Sequence, residues 1–332
     1  MALRSSSTPR KIILDTDPGG DDIFALLWLQ SLVQQGFAQL VAVTTAEGNV
    51  SAARTFVSAS QVLSLGKLHQ TNLGRGVIPA SLPTEDASHI HGADGMGNLS
   101  HHLPSPIHDY ASAPFSDDII IEQLQAEPNA ITVIAIGPLT NLAAAETKVP
   151  GILQQAQEIV LMGGAFQCRG NITSHAEFNI WFNPGAAATV LNSGANITVL
   201  PMDVTTQLIF TQAMAEGATR GNPETPLAIF LQQLCAFMIS TTLAYRETDG
   251  VQGFLVHDAV TLASLFYPET LLFRRACVQV ETQGVLTRGQ TLIDQRHHPK
   301  MRQNAWVALQ VDAIALLNCL VEDLDALNQL IV

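Results

Sequence analysis

Apolar and polar positions fall into blocks along the first two hundred residues, and the blocks switch between two periods. Short β-rich apolar runs at 12–14, 39–45, 131–136, Glu158–Met162 and 197–202 have the length of buried strands. Between them lie longer stretches with helical spacing: one opening at Ile23-Phe24-Ala25-Leu26-Leu27, then 51–65, Ser116–Ala126, 139–147 and Pro184–Leu191. Gly and Pro stand at the breaks, as in Pro18-Gly19-Gly20, Gly137-Pro138 and Gly163-Gly164. This βα alternation predicts an α/β domain with a mostly parallel sheet and helices on both faces. The last third changes character. A long amphipathic helix is expected over Pro226–Tyr245 and another over 257–266. Shorter strands at 275–281, Thr291–Asp294 and Ala305–Val311 are expected as hairpins, and a closing helix at Ala313–Leu330. No repeat, linker or charge block marks a boundary, so residues 11–332 are expected as one domain, with its small C-terminal α/β-hairpin region, after a frayed tail at 1–10. Residues 79–115 are rich in His, Gly, Pro and Ser and lack periodicity; a loop that long is expected to be a functional lid.

The densest chemistry sits at the first break. Asp15-Thr16-Asp17-Pro18-Gly19-Gly20-Asp21-Asp22 places four carboxylates at a strand–turn–helix junction, at the strand end where open α/β sheets keep their ligands. Packed carboxylates repel one another unless a cation or shared protons compensate. An all-oxygen donor set suits Ca²⁺ or Mg²⁺ better than a thiolate-seeking metal. Asp21 and Asp22 alone read equally well as helix caps; all four together point to a metal or catalytic site.

Composition narrows the classes. With 332 residues, 47% hydrophobic and 14% charged, the chain is core-rich rather than disordered. A formal net charge of −13 argues against a nucleic-acid-binding surface, which would need a basic stripe. Cys168, Cys235, Cys277 and Cys319 are far apart and form no CxxC pair, as expected for reduced thiols. The N-terminus lacks the apolar core of a signal peptide, and no run is expected to span a membrane. A cytoplasmic protein without a membrane partner is expected.

Other strand ends are polar too. Asn49 follows the second strand, Thr140-Asn141 the third, and Gly170-Asn171 and Ala176-Glu177-Phe178-Asn179 the fourth, while His257-Asp258 opens a late apolar helix. Each alone is explained by a cap or turn. Converging on one sheet edge, Asn and Glu can bind several hydroxyls at once, which suits a sugar.

On these residues the chain resembles the nucleoside hydrolases, the inosine–uridine-preferring N-ribohydrolases, over nearly its whole length. The resemblance rests on Asp15-Thr-Asp-Pro-Gly-Gly-Asp-Asp22, Thr44-Thr-Ala-Glu-Gly-Asn49, His91-Gly-Ala-Asp-Gly-Met-Gly97, Ile136-Gly-Pro-Leu-Thr-Asn141, Met162-Gly-Gly164, Gly170-Asn171, Ala176-Glu-Phe-Asn179 and His257-Asp258, in the family's order. It implies the Rossmann-like fold of that family and Ca²⁺-dependent hydrolysis of ribonucleosides to ribose and base. It also implies a homodimer or homotetramer. By position, Asp17 would be both Ca²⁺ ligand and base toward water, with Asp22, the Ile136 carbonyl and Asp258 as further ligands. Asp21, Asn49, Met162, Asn171, Glu177 and Asn179 would hold ribose, and Asp15 would be support. His257 and His91 would stand near the leaving base, and Tyr245 would cover it. Asn183-Pro184 replaces the family's frequent Asp-Pro, His175 has no role, and His101-His102 and His297-His298 are expected as solvated loop residues.

Two other readings compete. A phosphatase of the haloacid dehalogenase type also places paired aspartates after an N-terminal strand, but here Pro18-Gly19 follows Asp17 and Lys148 lies beyond a helix rather than in a matching motif. A calcium-dependent nucleoside- or sugar-binding protein without catalysis is the second, disfavoured by intact Asp17, Asp22, Asn179 and Asp258.

Overall fold

The computed structural model describes residues 8–81, 86–294, 296 and 301–331. Most of the expected tail and the pair His297-His298 lie outside the described residues. Strands run β1 (Arg10–Thr16), β2 (Ala38–Thr45), β3 (Asn72–Gly74), β4 (Ile131–Ala135), β5 (Glu158–Met162), β6 (Ile197–Leu200), β7 (Ile209–Phe210), β8 (Phe254–Leu255), β9 (Leu271–Val280), β10 (Thr291–Asp294) and β11 (Ala305–Val311). Nine form one sheet in the order β10-β9-β11-β6-β5-β4-β1-β2-β3, and β7 pairs with β8. From β3 to β11 neighbouring strands are parallel; β9 and β10 close one edge antiparallel. The parallel sheet with flanking helices is thus as the blocks predict, and the late strands extend the same sheet.

Alternation along the strands makes two cores. Ile12 and Leu14 pack on one face of the sheet and Ile13 on the other. The Ile13 face is covered by the helices Ser116–Ala126, Thr140–Lys148 and Pro184–Leu191. The other face carries Gly20–Gln34, Ala52–Leu65, Pro226–Tyr245, Ala259–Phe266 and Ala313–Leu330. Gly20–Gln34 is buried from Gly20 to Leu32, because beyond Asp22 it is uncharged on every side and only a sandwiched position suits it. Its Trp28 Nε1 donates to Asp323 Oδ2 at 2.7 Å, and the Tyr267 hydroxyl donates to the same carboxylate. That bond network ties the first helix to the last.

One expectation needs correcting. Pro226–Tyr245 is less amphipathic than its spacing suggests and is, by length and composition, apolar enough to cross a membrane. It contains no Asp, Glu, Lys or Arg. Leu227, Ala228, Phe230, Leu231, Leu234, Cys235, Met238 and Thr242 are buried within the protein. The buried side of this helix serves the core, and its C-terminal end reaches the site.

Candidate active site

The chain leaves β1 toward β2 on one side and returns at β4 on the other, and the crevice at such a reversal is the natural ligand site of an open α/β sheet. Register aligns the three strand ends there. Asp15 is level with Thr44 on β2 and Ala135 on β4, and Ile136 N donates to the Asp15 carbonyl at 2.8 Å. The Asp15 side chain is fully buried and accepts from Thr44 Oγ1 (2.9 Å) and Asn141 Nδ2 (2.7 Å). Asn141 also donates to the Thr45 carbonyl at 2.8 Å and accepts from Val77 N at 3.0 Å. Burial lifts Asp15 to about 7. It braces three strand ends from beneath.

Above it the turn is organised by Asp22. That carboxylate accepts from Thr16 Oγ1 (2.6 Å), Gly19 N (3.0 Å), Asp17 N (3.3 Å) and Asn49 Nδ2 (3.1 Å). The cap expected of Asp22 and its place in a carboxylate cluster are thus one geometry. Asn49 Nδ2 donates as well to the Asp17 carbonyl (3.0 Å), while Asn49 N donates to Asp17 Oδ2 (2.7 Å). Asp17 Oδ1 is buried and has no hydrogen-bond partner among the described residues. Two glycines make room for this carboxylate: a Cβ on Gly48 would stand 2.0 Å from Asp17 Oδ2, and one on Gly137 2.4 Å from Oδ1.

Asp258, at the start of Ala259–Phe266, meets Asp21 and Asp22 from across the crevice. One oxygen of each of these three lies within 4.8 Å of the others, all buried. Burial first, then repulsion by Asp22, raises Asp21 to about 8. Burial and the neighbouring carboxylates likewise push Asp17 and Asp258 well above the usual carboxylate range, and burial raises Asp22. Carboxylates so placed need protons or a cation. The orphaned Asp17 Oδ1 and this all-oxygen set fit a hard cation such as Ca²⁺. The Ile136 carbonyl stands on the next strand end; it accepts from Asn179 Nδ2 at 2.9 Å, and a second lone pair remains for a ligand role.

The sugar-binding candidates hold one another in place. Glu177 caps the short helix Phe178–Phe182, accepting from Asn179 N (2.9 Å), Ile180 N (3.3 Å) and Gly164 N (2.9 Å). Burial raises its pKa despite those bonds. Asn179 Nδ2 also reaches the Met162 carbonyl at 3.3 Å. Asn171 Oδ1 accepts from Phe178 N at 2.9 Å. A cavity of about 270 Å³ opens above, and Asp21, Asp22, Asn49, Ile136, Met162, Asn171, Glu177, Asn179, His257 and Asp258 all line it. Asp17 and Asp15 are not on its wall; both are fully buried beneath it.

The chain matches the family model described as inosine-uridine preferring nucleoside hydrolase over residues 12–318. The chain belongs to that family. Relatives agree: an inosine-uridine preferring nucleoside hydrolase of Leishmania major is 33% identical, covering 92% of this chain and 94% of that one. The pyrimidine-specific ribonucleoside hydrolase RihA of Shewanella woodyi is 34% identical over 96% of this chain and 99% of its own length. Among solved structures, the purine-preferring ribonucleoside hydrolase from Gardnerella vaginalis superposes with a TM-score of 0.86 at 26% identity, covering 97% of this chain and all of that one.

In this nucleoside hydrolase the far end of the cavity has a different construction. His91, from the short helix Ser88–His91, accepts from Gly20 N through Nδ1 at 2.8 Å. His257 Nδ1 lies 2.7 Å from Thr205 Oγ1. Burial lowers both imidazoles to about 4, so both are neutral near pH 7. Tyr245 is half exposed and meets the His89 ring edge-on, with centroids 5.2 Å apart. Asp86, His89, Met238, Thr242 and Glu247 also line this end. Sequence reasoning gave none of these five a role, since they come from an aperiodic loop and from the end of a core helix. Gly48 and Gly137 were quoted inside motifs, but their reason is a side chain on another strand. His175, His101 and His102 are exposed, and Asn183 caps the following helix through Ala186 N.

Proposed function

We propose that this nucleoside hydrolase cleaves the N-glycosidic bond of ribonucleosides, giving ribose and free base, with Ca²⁺ as its metal. The observation that carries the metal is the buried group of Asp21, Asp22 and Asp258, with Asp17 buried beneath it, one Asp17 oxygen unpaired and no Lys or Arg among the described lining residues. Asp17, Asp22, Asp258 and the Ile136 carbonyl would hold the ion, which when bound supplies Lewis acidity at this edge.

The remaining work falls to the chain itself. Asp17 accepts the proton of the attacking water, and its fixed position beside Asn49 N limits its freedom to turn away. Asp21, Asn49, Asn171, Glu177 and Asn179, with Met162, hold the ribose. As the glycosidic bond stretches, positive charge develops on the sugar. The carboxylates already aimed into this buried site stabilise that charge without reorganising. His257 or His91, neutral in the free protein, offers a hydrogen bond to the departing base. Two histidines at the base end support a substrate range of the inosine–uridine type. A cytoplasmic homodimer or homotetramer is part of the same reading.

Turnover of p-nitrophenyl riboside and a panel of nucleosides, with Ca²⁺ and after chelation, tests it. Release of free base that stops on chelation and returns with Ca²⁺ is the expected result. Nucleoside binding without turnover would establish the non-catalytic binder instead.

A further inference from the structure

We infer that Thr205 is a positioning residue that fixes the tautomer of His257, so that Nε2–H is presented to the leaving base. The inference rests on the reading of His257 as a group at that end of the cavity. Thr205 ends the one-turn helix Met202–Thr205 after β6 and is fully buried. Its Oγ1 lies 2.7 Å from His257 Nδ1 and has no other partner among the described residues. The neighbouring Thr206 spends its hydroxyl on the Met202 carbonyl at 2.8 Å, so one threonine bonds back into its own helix turn and the other reaches across to a different element.

The hydroxyl contact decides where the imidazole proton sits. A threonine hydroxyl has one proton to donate. If Nδ1 carried a hydrogen toward Oγ1, the hydroxyl proton would be left buried and unpaired, which is costly. The arrangement that satisfies both groups has Thr205 donating and Nδ1 accepting. A neutral imidazole that accepts at Nδ1 carries its hydrogen on Nε2. Nε2 of His257 has no protein partner among the described residues, and His257 lines the cavity beside Asp258. The base-facing nitrogen is therefore a donor. In the other tautomer it would present a lone pair to the lone pair that grows on the departing base nitrogen.

The experiment separates tautomer from turnover. Long-range ¹H–¹⁵N spectra of ¹⁵N-histidine-labelled protein, with His257 assigned by His257→Gln, should show the Nε2–H form in wild type and Thr205→Ser. Thr205→Val should lose that pattern. In parallel, Thr205→Val should lower kcat on nucleosides by about 10²-fold, the low end of what a positioned proton donor contributes. The same variant should cleave p-nitrophenyl riboside, whose phenolate leaves without a proton, within about threefold of wild type, and Thr205→Ser should restore both. An Nδ1–H form in wild type, a spectrum unchanged in Thr205→Val, or equal losses on both substrates would each overturn the inference. If wild type cleaves neither substrate, the functional reading fails, while the spectra still decide the tautomer.

Discussion

The two ends of the cavity are built differently. At the sheet edge most candidate side chains stand near strand ends or helix starts and the best-held share several bonds: Asp22 has four donors, Glu177 three, and Asn49 contacts both Asp17 and Asp22. At the base end the walls come from the Ser88–His91 excursion and the exhausted end of Pro226–Tyr245, and Tyr245 meets His89 through a ring contact. A ribonucleoside hydrolase fold that keeps one sugar site while its base site varies is served by this division. Ribose and water need fixed geometry, while base choice can drift through residues such as Tyr245 that carry few bonds to the rest of the site. The relatives carry names ranging from pyrimidine-specific to purine-preferring, consistent with one constant end and one variable end.

The comparison breaks most completely at Asp17. Asp17→Ala should lower kcat by at least about 10³-fold, some 4 kcal/mol of barrier, without unfolding the protein. Removing one of several mutually repelling buried carboxylates should even raise the melting temperature measured in chelator, the usual opposition of stability and activity at a strained site. Steady-state kinetics with circular dichroism melts check both; a mildly affected variant would overturn the role of Asp17. Gly137→Ala is the finer probe. Its new methyl would meet Asp17 Oδ1 at 2.4 Å, and displacement of a reacting group by about 1 Å can cost around 10²-fold. A loss of that size in kcat with little change in fold is expected.

A third test reads the carboxylates by their protons. Asp21 titrates near 8 in the metal-free fold against an ordinary 3.8, and Asp17 and Asp258 are raised as well. Between those values the folded state binds more protons than the unfolded one. Stability of the metal-free protein therefore falls as pH rises through that window. A bound cation replaces those protons. The gain in melting temperature from saturating Ca²⁺ over chelator should thus be smallest near pH 5 and grow by several degrees toward pH 8. Thermal scans across that range check it, and a gain independent of pH would show that the cluster does not exchange protons for metal.

The same division decides what could be read from sequence. The sheet edge was legible because strand periodicity, a Gly-Gly break and polar residues all act within a few positions: Asp15 through Asp22, Asn49, Glu177 and Asn179 fall at predicted strand ends and the fold gathers them. What stayed hidden depends on partners far away in the chain. Gly48 and Gly137 are needed by the bulk of Asp17, Asn141 by the buried carboxyl of Asp15, and Thr205 by a histidine fifty-two positions later. The two- and three-residue strands β3, β7 and β8 are too short to leave a period. Pro226–Tyr245 was read as amphipathic from its spacing, but its less buried positions carry apolar or uncharged side chains too.

The smallest effect should come from the variable end. Tyr245 is half exposed, and among the described residues its ring contact is with His89 alone. An aromatic contact of that kind contributes about 0.5–1.5 kcal/mol, so Tyr245→Ala should raise KM roughly two- to tenfold and leave the ribose machinery untouched. The informative quantity is the ratio among substrates. If Tyr245 covers the base, the change in kcat/KM should differ between a purine and a pyrimidine nucleoside, because the two rings offer it different areas to cover. For p-nitrophenyl riboside the kcat should stay near wild type. A uniform fall in kcat across all three would place Tyr245 with the fixed end of the cavity, and the contrast between the two ends would have to be redrawn around His89 and Glu247.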